Sequence, residues 1–103
     1  MSRIQFQPKL VGETLPYVFD FVSRMGVSDT IFGSSVAVTV YSGVDPVPNA
    51  MVYGGPSNSG TQVTQKLMGG VAGVVYQVMC TMVTSSGLTF QLFGLLAVES
   101  GAV

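Results

Sequence analysis

The chain has 103 residues, 48% of them apolar and 9% charged, with a formal net charge of −1 and no histidine. That length fits one domain, which buries roughly 60–70% of its unfolded surface and needs no staple to hold a core. Its four cations, Arg3, Lys9, Arg24 and Lys66, are scattered, which excludes a phosphate-tracking nucleic-acid surface and a basic membrane-surface helix.

With so little charge, Ser, Thr, Gln and Asn must supply the polar cover. A surface of that kind is sticky in isolation and suits a subunit of a larger assembly. The single cysteine, Cys80, rules out an intrachain disulfide. The opening MSRIQFQPKL lacks the apolar run of a signal peptide, so synthesis and folding in a reducing cytoplasm are expected.

In chain order, residues 1–12 read as an N-terminal arm or an edge strand. Ile4 and Phe6 alternate with Arg3, Gln5 and Gln7 before Pro8 interrupts. Arms of this kind often pair with a neighbouring subunit's sheet edge, the alternative being a frayed terminus. Residues 13–103 read as one domain. Leu15, Tyr17, Phe19 and Phe21 alternate with Pro16, Val18 and Asp20, a half-buried strand whose proline puts it at an edge or at its start. Val36, Val38 and Val40 alternate with Ala37, Thr39 and Tyr41 in a second strand. A connection punctuated by Pro46 and Pro48 follows, then a short strand at 50–53 and a Gly/Pro/Ser/Asn loop at 54–60. Residues 61–67 give another strand, and Gly69, Gly70 and Gly73 break the chain after it.

Residues 71–98 carry no charge, which raises the prospect of a membrane hairpin. A spanning helix needs about 20 apolar residues, and Ser85-Ser86-Gly87 splits this run into pieces too short for that. The β-branched residues Val74, Val75, Val78 and Val83 disfavour a helix of any kind. Alternation places Val74, Tyr76, Val78, Cys80 and Met82 on one face, so residues 74–83 and 88–98 read as a β-hairpin in a core.

About seven short strands with regular turn signals predict an all-β fold, an immunoglobulin-like β-sandwich, with a jelly roll as the alternative. Ala72-Gly73-Val74-Val75-Tyr76 favours the first. It places a tyrosine just after a glycine turn at the start of a core strand, as in a tyrosine corner.

Catalytic chemistry is sparse. Without histidine there is no Ser-His-Asp triad and little prospect of zinc, and one cysteine gives no redox pair. Glu13, Asp20, Asp29, Asp45 and Glu99 are at least seven positions apart and read as solvated loop and edge charges. Met79, Cys80 and Met82 suggest soft-metal ligands only until strand alternation splits them between faces. The expectation is a protein that is not an enzyme, with no catalytic, cofactor-binding or metal residues.

Four stretches carry a resemblance: Glu13-Thr14-Leu15-Pro16-Tyr17-Val18-Phe19-Asp20-Phe21, Val38-Thr39-Val40-Tyr41-Ser42-Gly43-Val44-Asp45, Gly69-Gly70-Val71-Ala72-Gly73-Val74-Val75-Tyr76 and Thr84-Ser85-Ser86-Gly87-Leu88-Thr89. Together they resemble small tailed-bacteriophage virion proteins of the fibre–tail adaptor or tail/neck structural type. The resemblance implies a non-enzymatic virion component, made in the bacterial host cytoplasm and located in the tail or neck. It also implies a homo-oligomeric ring whose partners are other tail, neck or fibre proteins, with no nucleic acid, no membrane and no cofactor. The competing function is an immunoglobulin-like module that grips a host-surface glycan or protein. The loops hold mostly Gly, Ser, Pro and Asn, with Tyr53 as their aromatic, which favours assembly. Partner contacts are expected from the arm, through Ile4 and Phe6, and from the 43–60 loops, through Asp45, Pro46, Pro48 and Tyr53.

Overall fold

A computed structural model describes residues 4–26 and 28–101. The first three residues of the expected arm, Val27 and the last two residues of the expected domain lie outside that range. Among the described residues eight strands run in chain order: β1 (Ile4–Gln5), β2 (Lys9–Leu10), β3 (Thr14–Asp20), β4 (Ile31–Ser42), β5 (Val52–Ser59), β6 (Gln62–Met68), β7 (Val75–Thr84) and β8 (Thr89–Glu99). A short 3-10 turn at Pro48–Met51 is the helical piece among the described residues.

The strands form two sheets. One has the order β1-β8-β7-β4, with β2 also pairing β8, and the other has the order β3-β6-β5. Strands β4, β7 and β8 therefore hold the places of C, F and G in an immunoglobulin-like sandwich, and β3, β6 and β5 those of B, E and D. The expected all-β sandwich is the fold observed.

β7 is the centre of the core. Val74, Tyr76, Val78, Cys80 and Met82 are all buried, as the alternation predicts. Phe19, Phe21, Val63 and Leu67 face them from the second sheet in the same cluster. β3 matches its predicted span closely. Phe21 N–H donates to Thr61 C=O, so alternate amides of β3 point toward β6 and position 16 points outward. Pro16, which has no N–H, sits where none is needed.

β5 differs from expectation. Residues 54–60 read as a loop, yet the strand continues to Ser59 through a register shift between Tyr53 and Ser57. Gly54, at φ +72°, turns the chain there. The carbonyls freed by this bulge are collected by Gln65, whose Nε2 donates to Tyr53 C=O (3.2 Å) and Gly54 C=O (3.1 Å). That is why a glutamine occupies a fully buried place on β6 between Val63 and Leu67.

The N-terminal segment lies against its own chain. β1 and β2 pair in parallel with β8, Ile4 opposite Gly94 and Lys9 opposite Val98. Phe6 N–H donates to Leu95 C=O, and the Phe6 ring meets Tyr17 and Phe19 edge-on at 5.0 and 5.6 Å. Gly94 makes this approach possible, because a Cβ there would lie 2.6 Å from the Phe6 ring and 2.9 Å from Ile4 C=O. Lys9 is buried, with Nζ donating to Leu10 C=O (2.8 Å) and Gly69 C=O (2.7 Å). Its amine is pushed below the usual lysine range by burial, while Glu13 acts in the opposite sense.

Candidate interaction surfaces

One end of the sandwich is built from the β4–β5 connection and the turn between β6 and β7. A single hydroxyl ties the two together. Tyr76 Oη accepts from Val71 N–H at 2.7 Å and donates to Asp45 Oδ2 at 2.7 Å. This is the tyrosine corner expected from sequence, extended to a second loop. Burial, then the Asp45 hydrogen bond, holds the Tyr76 phenol above its ordinary range. Asp45 Oδ1 also accepts from Val47 N–H, and Asn49 Oδ1 accepts from Val38 N–H on β4, both at 2.9 Å. Gly43, at φ +106°, lies so close to Val74 that a Cβ would come within 3.0 Å of it. The loops are thereby fixed to the core at several points.

On this fixed base sit apolar side chains facing solvent. Val44 is 82% exposed and Val47 65%, and Val71 and Met68 are exposed as well. A cavity of about 310 Å³ opens between the two loops, lined by Val47, Ala50, Met51, Met68 and Val71, with Asp45 as the charged residue on its wall.

The sequence-predicted contact residues fall in different places. Pro46 and Tyr53 are exposed, the latter by 52%. Pro48 is half-buried and opens the 3-10 turn, and Asp45 is engaged by Tyr76. Ile4 and Phe6 are half-buried against the chain's own core. Val44 and Val47 belong to the predicted 43–60 region but were not singled out. Their signal is two valines among loop-forming residues. Met68 and Val71 lie outside that region and were missed, because sequence reading does not show that the turn after β6 folds beside the 43–51 loop.

The carboxylates read as solvated charges are partly structural. Asp20 accepts from Thr61 Oγ1 at 2.8 Å and from Val22 N–H at 3.0 Å, bonds that hold its carboxyl below the usual range. Glu13 Oε1 accepts from Leu10 N–H at 2.8 Å. Among the described residues no three His, Cys, Asp or Glu side chains gather in a way that would hold a metal ion, and no helix is long and apolar enough to cross a membrane.

Fold and surface together define a β-sandwich module with rigid, apolar loop ends and structural carboxylates. A family model described as podophage GP4 fiber-tail adaptor protein gp77 matches residues 9–93, and the chain belongs to that family. No curated protein matches the sequence. The family is the type to which the sequence resemblance pointed.

Proposed function

We propose that the protein is a non-enzymatic structural subunit of a podophage virion, joining fibre to tail within a symmetric homo-oligomer, with ring closure as the expected form. Its partners are other tail or fibre proteins and its place is the tail region. The match of the fibre–tail adaptor family over residues 9–93 carries this reading. The geometry supports it: a connector needs a stiff surface, and the 43–51 and 68–73 loops are pinned through Tyr76 and Asn49 while Val44 and Val47 stand out to solvent. Apolar side chains presented by a pre-organised base bind with little ordering cost. Pro46, exposed between Val44 and Val47, belongs to the same loop, whereas Tyr53 lines a separate cleft with Gly54, Thr64 and Lys66.

The double substitution Val44→Asp and Val47→Asp tests the surface. Both side chains are exposed, so stability should stay within about 0.5 kcal/mol of the parent. Incorporation into particles should fall sharply in a complementation assay. Full incorporation of a normally folded variant would overturn the assignment of this surface.

A further inference from the structure

Among the described residues, three of the four sheet edges are interrupted at a proline. Pro16 takes an outward-facing amide position of β3. β5 is broken by the bulge that contains Gly54, Gly55 and Pro56. On the arm side, Pro8 separates β1 from β2. β4 differs: its twelve residues, Ile31–Ser42, contain no proline and no charge. Edges of that kind are the ones that other strands join.

The direction of its backbone groups can be read from one bond. Val38 N–H donates to Asn49 Oδ1, away from β7, and pairing with β7 is regular from Gly33 to Val40. By two-residue alternation, the N–H and C=O groups of Ser34 and Val36 face the same outward way. The 3-10 turn covers the edge at Val38. Over residues 31–37 the facing sheet contributes a side-chain bond, Ser34 Oγ to Asn58 Oδ1 at 2.7 Å. Val36 faces the core yet stays half-buried, whereas Val38 is 2% exposed. The bulge between Ile31 and Gly33 turns Phe32 out to 80% exposure, beside a cleft of about 320 Å³ walled by Thr81 and Val83.

We propose that this half of β4 pairs antiparallel with the same segment of a second copy of the chain, joining two sheets across a two-fold axis. The other edges of a second copy are interrupted by proline, so β4 is the complement left to β4. An uncharged strand meets itself without like-charge opposition. β4 also holds the place of strand C, the edge on which variable-type immunoglobulin sheets carry further strands. The contact is isologous and satisfies both rows of backbone groups at once. It rests on the reading of the chain as a homo-oligomer and locates one contact in it.

The test is the solution mass of the full chain over a concentration series, with hydrogen exchange read at Ser34 and Val36. The parent should form at least a dimer of the 10.8 kDa chain, with both amides slowing as it forms. Val36→Pro, which removes an outward N–H, should lose the dimer. Ser35→Lys, at an exposed position beside the seam, should do the same should the proline variant fail to fold. A monomer at every concentration would overturn the proposal. So would an oligomer in which both amides exchange freely, and that outcome leaves the adaptor reading standing. Protection that appears only when a fibre or tail protein is added would also overturn it, in favour of a foreign strand.

Discussion

Two buried side chains show how much single residues decide here. Cys80 is fully buried on β7, and burial pushes its thiol up to about 12. The thiolate is the reactive form, so the native protein should resist alkylation at neutral pH and react only once unfolded. The same shift has a signed pH effect. The unfolded chain releases this proton near 9.0 and the folded chain near 12, so the stability it confers is complete below 9.0 and falls as pH rises between those values. Unfolding free energies of parent and Cys80→Ala measured across that window should converge as pH rises. Parallel curves would refute the linkage. Tyr76→Phe tests the loop latch. It strips the partner from Val71 N–H and from one oxygen of Asp45, a loss of about 1–3 kcal/mol. Denaturant unfolding reports that loss, and faster amide exchange at Val71 and Val47 should accompany it.

At the level of elements, β7 and β3 were legible because strict alternation with β-branched and aromatic residues leaves little choice of face. The tyrosine corner was legible because a glycine turn and an inward tyrosine stand in fixed order. The continuation of β5 was not legible, since Gly54-Gly55-Pro56 is loop-like by composition and is held in the sheet by Gln65, eleven residues beyond Gly54. Nor was the place of the N-terminal segment, because the glycine that admits it, Gly94, lies at the far end of the sequence. That dependence yields a prediction. Gly94→Val should drive Ile4 and Phe6 from β8, uncover Tyr17 and Phe19, and destabilise the fold by about 3 kcal/mol, the scale of losing a packed phenylalanine. A matching loss in Phe6→Ala, with no further loss in the double variant, identifies the shared cause. Additive losses would show that the glycine serves something else.

Across the whole molecule, which extends 48 × 26 × 23 Å, two surfaces offer different chemistry. The loop end presents side chains from a fixed base. The free half of β4 presents backbone. Substitutions at Val44 and Val47 should therefore spare self-association through β4, and Val36→Pro or Ser35→Lys should leave the loop end folded and able to bind. Solution mass separates the two: it should change in the β4 set and stay that of the parent in the Val44→Asp and Val47→Asp double variant, whose incorporation nonetheless falls. A change of solution mass in the Val44 and Val47 variant would merge the surfaces into one. The candidate site was legible in the sequence to the extent that proline and glycine mark loops. Which apolar residues those loops bring together depends on the sheet order, and local pattern does not encode it.

The pairing of β1 and β2 with β8 also has a consequence for biogenesis. Translation makes β1 and β2 before β8, so their seat beside Gly94 emerges only after β7 has been made. Until then Phe6 has no slot, and Tyr17 and Phe19 lack their lid. β1 thus waits for a partner made after it, so its docking reports that β8 has taken its place in the sandwich.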